Sequence, residues 1–560
     1  MPSTRNKRFP LRRTFQGAVL AAFMVLLYRA TYPLDTHLRL KVFLELDPFY
    51  AAVSMAAARI FVAGLLLSLL TVAASLVFGR VFCGYVCPMG FATDIGDRLG
   101  FGRFRDRKKG NYEGSRGIAI KYWVLGASLC AAACGFSLVF VADPLSIFTR
   151  FSALVIYPFA VLVANAGLLA VRPLAEALGL LGISHAHIIQ PVFAANLFNG
   201  VLFLSLLGLN ALAYRAWCRY ACPAGAMMGL LGFLAPWRRR VSDACTDCGL
   251  CQKRCQMGCI PADARQTRST ECIACYSCVR VCPVKAVSFG FGGFGPSPVR
   301  GTNGLRKEAP APLDGKGRRV FIGSLVTGGV AAGFLRTGLT HPTSLKDPLP
   351  LRHPRLIRPP GALPEPDFIA ACTRCGECMR ACVTNTIQPA WLESGAEGIW
   401  TPRLMLRYAA CEQQCEICGH VCPTGAIRPL DLEEKLHAKI GTAYIVKERC
   451  LAWEWDVKCL LCDEQCPYNA ITMEPLAGHK STVPYVDEKR CNGCGQCEDK
   501  CPVDGDSAIM VGPNGEIRLA GGSYKAKAKE MGLSFERKVE REDVYEDSGK
   551  DDGLPPGFVK

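Results

Sequence analysis

The chain has 560 residues, half of them hydrophobic, with 31 cysteines and a formal net charge of +17. Such a length leaves room for several domains. So many cysteines in a long, partly apolar chain exclude both an ordinary cytosolic enzyme and a small disulfide scaffold, and point to thiolate ligation of metal. The basic residues crowd beside apolar segments, in RNKRFPLRR, RDRKK and WRRR. That is the footprint of cytoplasmic loops and not of a nucleic-acid surface.

Taken in order, residues 1–240 read as a helical membrane domain. Basic residues 1–15 precede a first apolar segment, Phe15 to Tyr32, and residues 33–57 are mixed. A second segment, Ile60 to Phe78, is long enough to cross a bilayer and runs into F-C-G-Y-V-C-P, holding Cys83 and Cys87. The basic loop Arg98 to Arg116 puts this end inside. A third segment covers 118–141 and ends at Asp143-Pro144. Two more follow, 152–171 and 197–216, the latter leading into W-C-R-Y-A-C-P-A-G-A with Cys218 and Cys222. If both crossed, Cys218 would end outside, against the positive-inside rule. One segment within 152–196 is therefore expected to be re-entrant, interfacial or a hairpin, with 173–184 at the surface.

The pairs Cys83/Cys87 and Cys218/Cys222 form an internal repeat, helix then C-x3-C-P. Two such pairs brought together supply four thiolates, enough for one further metal centre; the other reading is a pair of structural turns. Cys130 and Cys134 read as small packing residues. His185 and His187, by a membrane boundary, are either quinone headgroup ligands or surface histidines.

Residues 241–287 read as a two-cluster ferredoxin domain. In a two-cluster ferredoxin the last cysteine of each run ligates the other cluster. The expected sets are Cys245, Cys248, Cys251 with Cys282, and Cys272, Cys275, Cys278 with Cys255. Cys259 is an extra thiol, either free or a substitute for Cys255.

A Gly/Pro-rich linker, 288–316, leads to 317–339. Here Arg318-Arg319 before a short apolar run resembles a twin-arginine export signal or an anchor helix. A Pro-rich linker covers 340–366. Residues 367–523 carry sixteen cysteines in four groups: Cys372, Cys375, Cys378, Cys382; Cys411, Cys415, Cys418, Cys422; Cys450, Cys459, Cys462, Cys466; and Cys491, Cys494, Cys497, Cys501. Sixteen thiolates match four cubanes. Groups one and two are expected to exchange last cysteines, as are three and four; the alternative pairs one with four and two with three. The tail, 524–560, is charged and reads as mobile.

These motifs carry a resemblance. F-C-G-Y-V-C-P, W-C-R-Y-A-C-P-A-G-A and the double ferredoxin after them resemble NapH/MauN-type membrane ferredoxin proteins. R-R-V-F-I-G, then R-P-P-G-A-L-P-E-P-D-F with C-T-R-C-G-E-C and the four cysteine groups, resemble NapG/MauM-type proteins. The chain looks like a fusion of the two. The resemblance implies quinol oxidation at the membrane and electron delivery to a periplasmic reductase system. The expected fold class is mixed: an N-terminal α-helical membrane bundle, a two-cluster ferredoxin-like α+β domain and a C-terminal four-cluster ferredoxin-like α+β domain.

The expected function is a membrane-bound iron–sulfur electron carrier that takes electrons from quinol and passes them to a nitrate-reductase-like system, possessing six [4Fe–4S] clusters and room for one further metal centre. No nucleophile or general-base constellation is present, so no catalytic side chain is named and the chemistry belongs to cofactors. Expected partners are the membrane, the quinone pool and a periplasmic cytochrome or reductase, with no nucleic acid. The expected location is the cytoplasmic membrane, multi-pass, with the two-cluster domain inside and the four-cluster domain in the periplasm. The rival is a redox maturation factor for a metalloenzyme; a third reading is a cytosolic polyferredoxin anchored to the membrane.

Overall fold

A computed structural model describes residues 11–30, 41–99, 117–292, 315–336 and 356–535, apart from 181, 183, 184, 195 and 262. Most of the two basic segments 1–15 and 98–116, most of both linkers and the end of the tail lie outside the described residues. The chain forms two compact units. The first holds residues 1–404, 414–431 and 518–520; the second holds 405–413, 432–517 and 521–560.

In the first unit the apolar segments form helices: Leu11–Arg29, Pro48–Ala58, Ser68–Phe78, Ala119–Ala133, Asn196–Gly208 and Pro223–Gly232. Two differences from expectation stand out. The third segment does not run to residue 141. It stops at Ala133, where Gly135 takes a left-handed backbone (φ 86°), and a short helix Val139–Ala142 then leads to Asp143. Segment 152–171 belongs to a longer continuous helix, Pro144–Ala177, whose middle turn Ser152–Ile156 is π-helical. It carries Pro173 internally and ends where Gly179 goes left-handed (φ 69°) and Leu180 N–H closes back on the Ala175 carbonyl at 2.9 Å, a glycine-terminated helix end. Among the described residues, Pro144–Ala177 is the helix long and apolar enough to cross a membrane; the remaining apolar helices are shorter.

Four of these helices start with the same grammar. Asp47 precedes Pro48 and accepts from the N–H groups of Phe49 (2.8 Å) and Tyr50 (3.2 Å). Asp143 precedes Pro144 and accepts from Ser146 N–H at 2.6 Å. Cys222 precedes Pro223, and its sulfur accepts from Gly225 N–H at 3.3 Å. Cys87 precedes Pro88 at the start of Pro88–Leu99. Proline at the first helical position loses no hydrogen bond, and the residue before it caps the exposed N–H groups. The helical core gathers around these starts: Phe49, Tyr50, Cys87, Met89, Leu145, Phe148, Cys222 and Met228 belong to one buried cluster.

The helix Gly315–Arg336 packs along Ala119–Ala133. Ser324, Gly328 and Ala332 recur every fourth residue and meet Gly126, Ala127, Cys130 and Ala131; a Cβ on Gly328 would come within 2.4 Å of the Ala127 carbonyl oxygen. Small residues at this spacing let two helices approach closely, as they do in lipid. Cys130 and Cys134 belong to this contact, and Cys130 S–H donates to the Leu325 carbonyl at 3.2 Å.

The structure also moves two boundaries. Trp237–Val241 pairs antiparallel with Val287–Phe291, Trp237 opposite Phe291. The ferredoxin domain therefore takes in the end of the expected helical domain and the start of the expected linker, because both flanks supply its sheet. In the second unit, Thr442–Ile445 pairs with Ile509–Gly512 and Ile471–Pro475 with Thr482–Val486. The expected mobile tail begins as a helix, Tyr524–Glu530, capped by Ser523. Tyr524 and Ala528, four apart on one face, are buried while the lysines between them point away.

Candidate iron–sulfur sites

The runs spaced C-x2-C-x2-C share one backbone device. The residues just before and just after the middle cysteine are both left-handed: Asp247 and Gly249, Ala274 and Tyr276, Arg374 and Gly376, Gly493 and Gly495, with φ between 47° and 87°. Two left-handed residues so close curl the chain around a concave space lined by backbone N–H groups, the kind of nest that suits an anion. Groups two and three, with longer first spacings, lack it. Glu416 and Leu460, after Cys415 and Cys459, have φ near −118° and −117°.

The last cysteine of each group sits on a second device. The third residue after it is left-handed in Lys285, Asn385, Gly425 and Asn469, and the fourth in Gly505. This turn sends a backbone N–H onto the cysteine sulfur: Ala286 to Cys282, Ala470 to Cys466 and Ala508 to Cys501, each at 3.3 Å. Such N–H···S bonds stabilise a ligating thiolate and raise the potential of the cluster it holds. Cys255 has the same turn without the proline. Gly258 is left-handed (φ 60°) and Cys259 N–H donates to Cys255 Sγ at 3.4 Å. Cys259 thus stands where the turns after Cys282, Cys422 and Cys466 have alanine. Its own sulfur is 3.3 Å from that of Cys255 and also bonds Cys272, and its thiol, donating to Cys255, holds the Cys255 thiol below the ordinary range.

The thiols gather across groups. Cys372, Cys375 and Cys378 share a space of about 370 Å³ with Cys422. Cys450, Cys459 and Cys462 share one of about 400 Å³ with Cys501. Cys491, Cys494 and Cys497 share one of about 320 Å³ with Cys466. This is the arrangement in which groups one and two, and three and four, exchange last cysteines. Cys382, Cys415 and Cys418 belong to the first unit and Cys411 to the second. In the two-cluster domain Cys255 lies within reach of Cys272 and Cys278, while Cys251 packs in one apolar cluster with Cys282, and Cys245 lies near Cys251; Cys248 is exposed. Four thiols converging from two chain segments on one space, with N–H donors aimed at their sulfurs, fit a cubane cluster. A site for a single ion is a different arrangement: among the described residues no three His, Cys, Asp or Glu side chains close on one such point.

The two C-x3-C-P motifs, 135 residues apart counted from Cys83 to Cys218, also come together. Cys87 lies within electrostatic reach of Cys83, Cys218 and Asp47, and Cys222 of Cys218, Cys83 and Cys87. Buried cations surround them. Arg80 donates to Glu271 at 2.8 Å and to the Cys218 carbonyl at 3.4 Å; Lys121 donates to Glu271 at 2.5 Å. Arg215 clasps Asp94 with two bonds (2.8 and 2.7 Å) and reaches the Cys83 carbonyl at 3.2 Å. Arg219 is buried, with Nε and one terminal nitrogen unpartnered. Burial pushes the Glu271 carboxyl up, but Arg80 and Lys121 outweigh it and hold it below the ordinary range. Arg80, Lys121 and Arg215 are thus already paired with Glu271 and Asp94, and Arg219 is the buried cation beside the thiols without an acid partner among these contacts.

Both ferredoxin regions touch the helical part within the first unit. Cys83, Cys218, Met257, Ile273 and Cys275 form one apolar cluster, and Tyr85 O–H donates to the Ala274 carbonyl at 2.9 Å. On the other loop, the Tyr50 and Thr373 hydroxyls pair at 2.9 Å, Ser146 O–H donates to the Thr373 carbonyl at 3.0 Å, and Cys375 joins the apolar cluster that holds Cys87 and Cys222. Sequence reasoning missed Arg80, Lys121, Arg219 and Glu271. The available signal was charge embedded in or next to apolar segments, which is rare without a function. His185 and His187 are exposed and line none of the described thiol spaces.

Comparison with known proteins agrees with this geometry. A family model described as a 4Fe-4S binding domain matches residues 60–110, 195–242 and 417–430, and a second of that description matches 268–288. A model described as a 4Fe-4S dicluster domain matches 457–504. The methylamine utilization ferredoxin-type protein MauM of Methylorubrum extorquens is 40% identical over 174 residues, 30% of this chain and 76% of that protein. The chain belongs to the MauM/NapG ferredoxin-type family. The ferredoxin-type protein NapG of Escherichia coli is 36% identical over 208 residues, 35% of this chain and 86% of NapG. YccM of Escherichia coli is 49% identical over 72 residues, 12% of this chain and 20% of YccM. This family member is thus an iron–sulfur electron-transfer protein whose relatives account for about a third of its length.

Proposed function

We propose that this MauM/NapG relative is a multi-pass membrane protein that carries electrons from quinol to a periplasmic redox partner through six [4Fe–4S] clusters. The twenty-four cysteines of the two ferredoxin regions would hold them, and Cys83, Cys87, Cys218 and Cys222 one further metal centre. Bound clusters would supply one-electron redox chemistry. The chain's own residues orient the thiols, bury several of them and place N–H donors on the sulfurs of Cys255, Cys282, Cys466 and Cys501. The observation that carries the reading is the juxtaposition in one unit: the loop of Cys272–Cys278 packs on the C-x3-C-P thiols, and the loop of Cys372–Cys378 packs on the same helical core. A helical part with a thiol set at each contact is what a conduit between two ferredoxins needs. The small-residue seam of Gly315–Arg336 against Ala119–Ala133 favours a membrane helix there over an apolar helix on the surface.

Anaerobic iron analysis should find about 24 iron atoms per chain, at four per cubane, and about four more if the C-x3-C-P thiols hold another cubane. A value near eight would contradict the C-terminal assignment. Sidedness is tested by protease on spheroplasts. Cleavage within 340–356 should occur in intact spheroplasts, leaving the four-cluster region as a separate fragment on a denaturing gel; protection until the membrane is broken would favour the anchored cytosolic reading.

A further inference from the structure

Where the helical part meets the two-cluster domain, a cleft continuous with solvent opens that holds none of the complete thiol sets; its enclosed part is small, about 30 Å³. Its walls include Phe78, Trp237, Phe289, Arg239, Thr267 and Cys272. We propose that this cavity binds the headgroup of a quinol, an inference that rests on the electron-transfer reading above and gives it an entry point.

Four observations carry it. The wall is aromatic: Trp237 lies 4.7 Å from Phe291 and 6.3 Å from Phe78, ring centre to ring centre, and Phe78 stays 42% exposed. Flat rings of this kind stack on a flat ring. A polar group is poised inside. Arg239 is more than nine-tenths buried; it donates to the Thr267 hydroxyl at 2.9 Å and to the Ala264 carbonyl at 2.9 Å, while its Nε–H has no partner. An unpaired buried donor is costly, and a quinone carbonyl or quinol hydroxyl oxygen would satisfy it. Apolar side chains near the lining residues in sequence are open to the surroundings: Val77, Leu230 and Leu234 are all more than a third exposed, as the partner of an isoprenoid tail would be. Finally, two thiol sets flank the cavity. Cys272 lines it, and Arg239 also donates to Cys251 Sγ at 3.6 Å.

That last feature matches the stoichiometry of the donor. A quinol losing two electrons and two protons becomes a quinone; the thiol sets of Cys251 and of Cys272, if each held a cluster, would supply two one-electron acceptors, and the two protons would pass to water at the cavity mouth. A site beside a single one-electron acceptor would have to complete the oxidation in two separated turns.

The test uses the full chain purified in detergent. Binding of heptyl-hydroxyquinoline-N-oxide, read by quenching of its own fluorescence, needs no turnover. Trp237→Ala should weaken it at least tenfold, and Trp237→Phe should restore most of the affinity. Thr267→Val, which keeps shape, should weaken it severalfold with iron content unchanged. An azidoquinone should label within 232–239 or 267–274. Unchanged inhibitor affinity in both Trp237→Ala and Thr267→Val, or labelling beside His185 and His187 instead, would overturn the site even if quinol still bleached the clusters of the wild-type chain. If the wild-type chain binds the inhibitor but is reduced by dithionite and never by quinol, the electron-donor reading fails while the binding site stands.

Discussion

The two ferredoxin loops that meet the helical part do so by different physics. The loop starting at Cys272 is held by charge: Glu271, just before it, sits between Arg80 and Lys121 with all three side chains almost wholly buried. The loop starting at Cys372 is held by neutral contacts and stacked cations. Tyr50 and Ser146 bond Thr373, Arg150 lies 4.2 Å over Trp400, and Arg374 lies 4.0 Å over Phe140. The charged junction is rigidly specified, because removing any one member strands the others. The neutral junction spreads its energy over several small terms.

That contrast can be broken at its strongest point first. Glu271→Gln leaves Arg80 and Lys121 buried with less compensation and should cost roughly 3–5 kcal/mol. Thermal unfolding read at the helical part should drop sharply, with iron lost from the two-cluster domain first. The charged anchor of the later ferredoxin region lies away from its junction, at Glu365, which pairs with Arg358 and Arg518. Burial pushes this carboxyl up, but the arginines hold it at about 2. Its folded value lies below the unfolded one, so its contribution is complete above about pH 4.5 and is lost as pH falls towards 2. The shift corresponds to roughly 2 kcal/mol after allowance for its partial exposure. Between about pH 6 and about pH 3 the wild-type unfolding midpoint should fall further than that of Glu365→Gln; parallel curves would show that the pairing adds nothing.

Smaller effects sharpen the neutral side. Tyr50→Phe removes one hydroxyl pairing and should cost about 1 kcal/mol, with no loss of iron. A cost as large as that of Glu271→Gln would erase the distinction between the joints. Smallest is Cys259→Ala, which restores the alanine found at the equivalent turn positions after Cys282 and Cys466. Losing a net hydrogen bond of about 0.5–1.5 kcal/mol should lower one cluster potential by about 20–60 mV in a redox titration followed by electron paramagnetic resonance, with iron content unchanged.

Much of this was legible because cysteine spacing is a local code. C-x2-C-x2-C needs two left-handed residues around its middle cysteine, and Gly249, Gly376, Gly493 and Gly495 advertise them. The gathering of Cys422, Cys466 and Cys501 with neighbouring groups followed from the same rule. What could not be read was decided across distance. Trp237–Val241 looks like a basic flank of an apolar segment until Val287–Phe291 is seen pairing with it. The break at Gly135 and the continuity through Pro173 depend on packing that a hydropathy window does not see. Asp47-Pro48 and Asp143-Pro144 repeat as plainly as the two C-P pairs, yet their shared role at helix starts appears only when the helices are side by side. Charges such as Lys121 and Arg219 looked incidental within apolar runs and turned out to encircle the thiols.

The central claim is that the helical part conducts between the two ferredoxin regions by way of Cys83, Cys87, Cys218 and Cys222. The direct measurement is rapid mixing of the purified chain with excess quinol, following cluster reduction in wild type and in the double variant Cys87→Ser, Cys222→Ser at equal iron in the ferredoxin regions. The account predicts that wild type reduces the clusters of both regions, whereas the variant reduces only those of the two-cluster domain and leaves the four-cluster region oxidised on that timescale. Equal reduction of both regions in the variant would contradict it.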